Sequence, residues 1–486
     1  MKILVLLGWA IIANVTDELT VDFGTVLNDV RRRPVGVNVD YLMDDDRNPL
    51  LCPRRGLAEA LRELGPGYLR YPGGWKSAIN LWSVPPYASS RPILAGRVPD
   101  DWIRAGVQLT LPDGSWRIDP LDFDEFMGVC RATGAEPCLV VAYESCHWPP
   151  KGGWTPPSRE QLVETAAAWV RYANKKMNYK VKYWEIGNES WLNNETWTNS
   201  IAPATYAAEL VEFSRRMKAE DPAILTGANG DTDAWWQVVL SQAAEHIDFL
   251  SVHSYPCWKW TGYEQYRTSH PDALGSVRTA VNALAQYAPA HKGRIKVMLT
   301  EFAAGTFGPW DNTAADLGRA MITFDMQGQL LESPQVFFSQ FWNTHNIYSE
   351  VDGGVFDALM RDNTLSPIGR ALWIWNRYLG DEMVATTSSA DIRCFASRAA
   401  DQLAVFLLNK DTSARQAAVT LRHLPRECAA GERWVFHGHG PSDRSPTWER
   451  LDSIRVADAR TALRLEPVSV TVIVLRPAGG QEGPAR

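Results

Sequence analysis

Strand-like and helix-like segments alternate between residues 35 and 378, and this alternation limits the folds that the chain can adopt. Several of the strand-like runs are apolar almost throughout, which is typical of strands buried on both faces. The predicted strands cover residues 35–42, 68–73, 136–143, 181–189, 223–230, 247–255, 296–302 and 336–342. The predicted helices cover residues 57–64, 121–133, 158–177, 203–220, 233–245, 272–288, 313–331 and 366–378.

Eight consecutive strand–helix units predict the α/β class, in the form of a (β/α)8 TIM barrel with long loops. A doubly wound parallel sheet also alternates strands and helices. However, the chain has neither a GxGxxG nor a GxxxxGK[ST] phosphate loop. We therefore predict a (β/α)8 barrel over residues 35–380.

The pattern changes after the barrel, where short strand-like runs are separated by turn residues. These runs predict a C-terminal β-sandwich over residues 381–478. We expect residues 18–34 to supply an N-terminal strand that joins the sandwich. Residues 479–486 are expected to form a disordered tail.

The first residues, 1–17, are a possible signal or N-terminal extension. One lysine precedes an apolar run from Ile3 to Ala13, as in a short secretory signal, although a buried first strand is the alternative. The sequence thus favours a secreted or periplasmic protein, with a cytoplasmic location as the alternative.

The amino-acid composition limits the classes of molecule that this protein is expected to bind. The 49 Lys and Arg against 56 Asp and Glu give a net charge of −7, which disfavours nucleic acid. No apolar run reaches the roughly 20 residues of a membrane span. The seven cysteines are scattered without zinc spacing, so we expect no metal and no cofactor. The 21 Trp outnumber the 15 Tyr and the 15 Phe, which favours an oligo- or polysaccharide partner.

Functional groups of a (β/α)8 barrel lie at the carboxyl ends of its strands. This rule places Glu189 and Glu301 opposite each other at the mouth of the barrel. Two facing carboxyl groups suit glycosidic-bond hydrolysis, because one can protonate the leaving oxygen while the other attacks the anomeric carbon or activates water. The same rule selects the other strand-end candidates Arg70, Asn188, His253, Tyr255 and Trp342.

At these residues the chain resembles clan A, the retaining (β/α)8 glycoside hydrolases. The mark of that clan is an Asn-Glu pair ending strand four and a Glu ending strand seven, as in Asn188-Glu189 and Glu301. Within the clan the chain is most similar to family 51, with families 79 and 39 as neighbours. The features that carry this likeness are the LRYPGG motif around Arg70, the pair His253 and Tyr255, Trp342, and a β-sandwich after the barrel. The resemblance covers residues 18–478.

The resemblance implies a double displacement in which Glu189 is the general acid/base and Glu301 is the nucleophile. The other positions would bind or orient: Asn188 at the sugar 2-hydroxyl, Tyr255 and Arg70 at Glu301, His253 in the site, and Trp342 under the sugar. Because an ionised carboxylate raises the pKa of a neighbouring acid, we expect Glu189 to be held protonated.

The sequence says less about which sugar is the substrate. The resemblance to family 51 implies both α-L-arabinofuranosidases and endo-β-1,4-glucanases. Strand four ends GNESW and strand seven LTEFAAG, which depart from the GNEMDG-like and DEWN-like runs of arabinofuranosidases. Tryptophans in strand-end loops suit a polymer cleft, and they are Trp75, Trp191, Trp258, Trp260 and Trp310. We therefore predict an endo-β-1,4-glucanase acting on plant cell-wall polysaccharide, including xylan. An α-L-arabinofuranosidase and a non-catalytic carbohydrate-binding protein are the alternatives.

Two polar clusters lie outside this set. Asp44–Asp46 is expected to be a solvated loop. Asn229, Asp231 and Asp233 offer oxygen atoms as calcium loops do, but with only part of the EF-hand spacing. Neither cluster changes the prediction that the protein binds no metal.

Overall fold

A computed structural model describes residues 16–95, 116–117, 119–150, 155–192, 201–257, 261–305, 313–347, 349, 351–425, 428, 430–456 and 459–477. The tail at 479–486 and nearly all of the segment 1–17 lie outside the described residues, so the expectations for both stay predictions. No helix in the described part is long and apolar enough to cross a bilayer.

The strands, in chain order, are β1 (Thr16–Asp29), β2 (Val35–Asn38), β3 (Tyr68–Tyr71), β4 (Asn80–Leu81), β5 (Ile93–Leu94), β6 (Glu136–Val141), β7 (Tyr183–Ile186), β8 (Leu225–Asn229), β9 (Phe249–Ser254), β10 (Lys296–Phe302), β11 (Val336–Phe341), β12 (Glu382–Thr386), β13 (Ile392–Arg398), β14 (Leu403–Asn409), β15 (Arg415–Arg422), β16 (Ala430–His437), β17 (Thr447–Arg455), β18 (Arg460–Leu465) and β19 (Ser469–Leu475). The α-helices are α1 (Leu57–Leu64), α2 (Phe123–Thr133), α3 (Arg159–Val170), α4 (Pro203–Glu220), α5 (Asp233–Ala243), α6 (Tyr263–Thr268), α7 (Gly275–Tyr287), α8 (Leu317–Glu332) and α9 (Pro367–Tyr378).

Eight of these strands close a parallel barrel in the order β2, β3, β6, β7, β8, β9, β10 and β11, with β11 pairing back to β2. Every residue of β2, β3, β7 and β9 is buried, which explains the continuous apolar runs. The predicted (β/α)8 barrel is confirmed. Because the strands are parallel, their carboxyl ends meet at one face.

The predicted helices agree with the observed ones to within four residues at each end, apart from the segment 158–177. That segment begins with a capping box, in which Ser158 and Gln161 each bond the other's backbone N–H. It continues beyond α3 as a π-helical turn, Arg171–Lys176. The short helix α6 was not predicted, because its six residues are too few to show a helical period.

The remaining long strands form one nine-stranded sheet in the order β17, β16, β19, β14, β13, β12, β1, β15 and β18. Ile454 of β17 and Leu463 of β18 lie near opposite ends of this order, yet both belong to one buried cluster with Leu19 of β1. The sheet therefore folds over on itself, as the predicted β-sandwich does. Strand β1 pairs with β12 and β15 at the interior of the strand order, so it belongs to this sheet.

The expectation that Asp44–Asp46 is a solvated loop is wrong for its first two residues. Asp44 and Asp45 are buried, and Asp44 accepts hydrogen bonds from His345 and Thr344 in the loop after β11. The Asp44–His345 pair thus ties the loop after the first barrel strand to the loop after the last. Sequence did not reveal this pair because its members are about 300 residues apart in the chain.

Candidate active site

Five of the residues singled out in the sequence meet at the carboxyl face of the barrel. Arg70 lies in β3, and Glu189 follows β7 by three residues. His253 lies in β9, Tyr255 directly follows β9, and Glu301 lies in β10. The five residues thus come from four barrel strands, and His253 and Tyr255 share the end of β9. All lie at the carboxyl ends of the strands, where the functional groups of such barrels are found.

The Glu301 carboxylate is held by two donors. Its Oε1 accepts from Arg70 Nη1 at 2.7 Å, and its Oε2 accepts from the Tyr255 hydroxyl at 2.7 Å. The side chain is only 5% exposed. The guanidinium balances its negative charge, and the two hydrogen bonds fix its orientation.

Arg70 is the centre of the buried network, with a side chain that is 0% exposed. Besides Glu301, it donates to Glu185 Oε2 at 2.8 Å, Asn38 Oδ1 at 2.9 Å and Asn188 Oδ1 at 2.7 Å. Burial works against its charge, but the carboxylates of Glu185 and Glu301 outweigh that effect and raise the pKa of Arg70. One guanidinium thus joins the ends of four barrel strands.

The Glu189 carboxyl group has different neighbours. Its Oε1 lies 2.8 Å from His253 Nδ1, and its Oε2 accepts from the indole N–H of Trp75. Burial alone would raise the pKa of Glu189, but the hydrogen bond and charge of His253, followed by the Trp75 bond, lower it below its usual value. The net direction is thus opposite to the expectation that Glu189 is held protonated. His253 also lies 3.5 Å from Glu301, where its charge offsets that carboxylate.

The separation of the two carboxyl groups bears on the reaction. An oxygen of Glu189 and an oxygen of Glu301 lie within 4.8 Å of each other. Retaining glycosidases have separations of about 5–5.5 Å, whereas inverting ones need about 6.5–9.5 Å to admit a water. The gap here fits direct attack by a carboxylate.

The same two carboxyl groups and His253 have ligand atoms close enough to surround one cation. The Arg70 guanidinium, 2.7 Å from Glu301, places a fixed positive charge beside that position and disfavours a second one. The arrangement is better suited to proton transfer and nucleophilic attack.

In the side-chain amide of Asn188, the oxygen is hydrogen-bonded and the nitrogen is not, among the described residues. Its Oδ1 accepts from Arg70, and its backbone N–H donates to Glu144 Oε1 at 2.8 Å. Its Nδ2 is buried and has no hydrogen-bond partner in the described part of the chain. A buried donor without a partner is costly, so this amide is available to a hydroxyl of a bound molecule.

Trp342 lies at the end of the last barrel strand and is 6% exposed. Its ring packs against Gly74, where an added Cβ would come within 2.1 Å of the ring, so only glycine fits. Lys76 Nζ lies 4.8 Å from the ring centroid and 3.0 Å from Asp40 Oδ2. This buried ion pair and cation–π contact hold the indole in place.

Of the five loop tryptophans, Trp75 and Trp191 come to the site. Trp75 bonds Glu189, and Trp191 packs edge-to-face on His253 with ring centroids 5.4 Å apart. Trp258, Trp260 and Trp310 lie outside the described residues, so their predicted contact with sugar stays a prediction.

Sequence reasoning missed three buried residues that support the site. Glu185 bonds Arg70, and Glu144 bonds the backbone of Asn188. Asn229, considered as a calcium ligand, instead accepts from Ser190 N at 2.8 Å and donates to the Ile186 carbonyl at 2.8 Å. Glu185 lies within β7 and Asn229 ends β8, so a polar residue within a buried strand was the available signal for both, whereas Glu144 lies in the segment after β6.

Known proteins are similar to this chain in sequence over part of its length and in fold over most of it. The family model described as the alpha-L-arabinofuranosidase 1 domain matches residues 60–270. A probable alpha-L-arabinofuranosidase C of Aspergillus fumigatus is 26% identical over 250 residues, which are 44% of this chain and 43% of the relative. The chain thus spans less than half the length of that curated relative.

Two solved structures share the fold. AbfB, a family 51 alpha-L-arabinofuranosidase from Bifidobacterium longum, has a TM-score of 0.73 at 17% identity, covering 95% of this chain and 100% of that one. CelM2, a bifunctional glucanase-xylanase from a metagenome library, has a TM-score of 0.67 at 14% identity, covering 95% and 99%. These structural likenesses bear on the fold alone. The family model and the curated relative support the resemblance inferred from the sequence, and the two structures confirm the fold on which it rests.

Proposed function

We propose that this chain, most like family 51 of clan A, is a retaining glycoside hydrolase that releases α-L-arabinofuranosyl groups from plant cell-wall polysaccharide. The observation that carries the reaction is the closeness of Glu189 and Glu301, within 4.8 Å, in unlike surroundings. The matched domain at residues 60–270 and the name of the Aspergillus relative support arabinofuranose. They favour this activity over the endo-glucanase predicted from the tryptophans.

In the first step, a Glu301 oxygen forms a bond to the anomeric carbon while the bond to the leaving oxygen breaks. Glu189 gives its proton to that oxygen as it leaves. Arg70 and Tyr255 hold Glu301 in line for attack. The open Nδ2 of Asn188 is available to the 2-hydroxyl of the sugar. Trp342 supplies the surface under the ring.

In the second step, Glu189 takes a proton from water, and the resulting hydroxide attacks the same carbon. The bond to Glu301 breaks, and the sugar leaves with its original configuration. Two inversions at one carbon account for net retention.

The proton on Glu189 is governed by His253. The two groups are 2.8 Å apart, and the carboxylates of Glu301 and Glu189 raise the pKa of His253 although burial opposes this. The pair can thus hold one proton between Nδ1 and Oε1. Transfer along this hydrogen bond gives Glu189 the proton that its own lowered pKa does not favour.

Product analysis on two substrates tests the activity. An aryl α-L-arabinofuranoside should release its aryl group, while the viscosity of carboxymethyl-cellulose stays constant. Proton NMR should first detect the retained anomer of the product. A rapid fall in viscosity without aryl release would instead establish the endo-glucanase.

The endo-glucanase remains a second candidate because of two aromatic side chains. Trp75 and Trp191, both partly exposed, flank Glu189 where the leaving group must lie. Indole surfaces at that position suit a further sugar ring of a polymer. The viscosity measurement decides between the two substrates.

Replacing Glu189 by alanine should lower activity on a phenyl arabinofuranoside by about 10²- to 10⁴-fold, because the general acid/base is lost. Sodium azide should restore part of the rate with a good leaving group, since the small anion attacks the sugar without base assistance. Initial rates with and without azide, with mass spectrometry for the glycosyl azide, check this. Absence of both rescue and azide product would contradict the assignment.

Trp75→Phe should move the basic limb of the pH–kcat/KM profile to higher pH. Glu189 must be protonated to act, so activity falls as pH rises through its pKa. The Trp75 N–H favours the carboxylate and lowers that pKa, and phenylalanine removes this bond. Trp448→Phe, in β17 and stacked on Trp434 away from Glu189 and His253, is the control and should not shift the limb. A shift of Trp75→Phe to lower pH would contradict the argument.

A further inference from the structure

The turn that presents Glu189 has an unusual backbone. Gly187 has φ 76° and Glu189 has φ 52°, so two of three consecutive residues adopt the left-handed region. Residues other than glycine rarely adopt it, and they persist there only when the surroundings hold them. The conformation of Glu189 therefore depends on contacts made from outside the turn.

One of these contacts is Glu144, which begins a short 3-10 helix, Glu144–His147, after β6. Its Oε1 accepts from the backbone N–H of Asn188 at 2.8 Å and from the Ser190 hydroxyl. The same oxygen lies so close to Gly187 that a Cβ there would come within 2.3 Å. One carboxyl oxygen thus contacts residues on both sides of Glu189.

Glu144 is a buried carboxyl group of which one oxygen makes both hydrogen bonds to the turn. Glu144 is 4% exposed, and its Oε2 has no hydrogen-bond partner among the described residues. Burial raises its pKa to about 7. A buried, half-satisfied carboxyl group is costly, and the benefit must come from the strong acceptor it gives to the turn.

We propose that Glu144 is a positioning residue that holds the turn Gly187–Ser190 so that the Glu189 carboxyl group faces the leaving oxygen. This rests on the proposed function, in which Glu189 is the general acid/base. Glu144 bonds the turn that carries Glu189, and its hydrogen bonds do not reach Glu301, whose donors are Arg70 and Tyr255.

A residue that acts through the general acid/base should matter more for leaving groups that need a proton than for those that do not. The kcat/KM reports formation of the glycosyl-enzyme, and a 2,4-dinitrophenyl leaving group departs without a proton whereas a phenyl group needs one. In Glu144→Ala, kcat/KM should fall about 100-fold on the phenyl arabinofuranoside and less than about threefold on the dinitrophenyl one. Glu144→Gln, whose carbonyl oxygen can accept the same two bonds, should restore most of the loss.

The matched control is Glu332→Ala. Glu332 also has a pKa raised to about 7 by burial, but it ends α8 near Arg393 and Asp325, and the described contacts do not link it to the turn. It should show no dependence on the leaving group. If Glu144→Ala does not fold, Glu144→Asp, shorter by one methylene, should show the same dependence.

Equal losses on both substrates, or none, would overturn the proposal. If the wild type cleaves no glycoside, the proposed function fails by itself, and a crystal structure of Glu144→Ala then decides the positioning role. Positioning requires that Glu189 leave the left-handed conformation and its bonds to Trp75 and His253. An unchanged turn in that crystal structure would refute it.

Discussion

Glu301→Gln should abolish turnover of an aryl α-L-arabinofuranoside, lowering kcat by about 10⁴- to 10⁶-fold, as loss of a nucleophile does in other enzymes. Glutamine keeps the shape of the side chain, its one carbonyl oxygen can still accept from Arg70 and its amide N–H can donate to the Tyr255 hydroxyl, but it cannot form the glycosyl ester. The fold should therefore survive while the reaction stops. Steady-state rates and circular dichroism on the same preparation check both parts.

A trapping experiment sharpens this result. A 2-deoxy-2-fluoro arabinofuranoside with a good leaving group should label the wild type, and peptide mass spectrometry should find the label on Glu301. Glu301→Gln should take no label, while Glu332→Gln, remote from the site, should take it normally. A label on Glu189 would reverse the two roles.

Arg70→Met should lower the free energy of unfolding by about 3–5 kcal/mol, because it leaves buried charges without their partner. The side chain of Glu185 is 0% exposed. Of its described hydrogen bonds, it would retain the one donated by Ser251. Glu301 would retain its bond from Tyr255 and the more distant His253, but it would lose the Arg70 guanidinium 2.7 Å away. Urea unfolding followed by tryptophan fluorescence measures the change.

Arg393→Met is the matched control for that variant. Arg393 donates to the buried Asp325 at 3.0 Å, but Asp325 also accepts from Tyr266 and Gln329. Its carboxylate thus keeps neutral donors when the arginine is removed, and the loss should be smaller. A loss for Arg70→Met no larger than that for Arg393→Met would show that the Arg70 network contributes little to stability.

The barrel and the residues at its mouth could be predicted from local patterns in the sequence. Runs such as residues 136–143 are apolar because both faces of a barrel strand are buried, and this local pattern fixes the strand and its ends. The carboxyl ends of parallel strands meet at one face of the barrel. The proximity of Glu189 and Glu301 could therefore be predicted before any interatomic distance was known. The family resemblance then assigned their roles.

How these residues affect one another became visible in the folded chain. The direction of the Glu189 pKa was predicted wrongly because His253 and Trp75, distant in sequence, are its hydrogen-bond partners. The burial of Asp44 likewise depends on His345, at the far end of the barrel. Contacts of this kind join strands tens to hundreds of residues apart.

This difference arises because some features depend on neighbouring residues in the chain and others on contacts between separate strands. Periodicity and strand ends are properties of short segments, so a sequence displays them directly. A pKa shift, a salt bridge or a turn held by Glu144 depends on distances of a few ångströms between separate strands, and only closure of the barrel sets those distances.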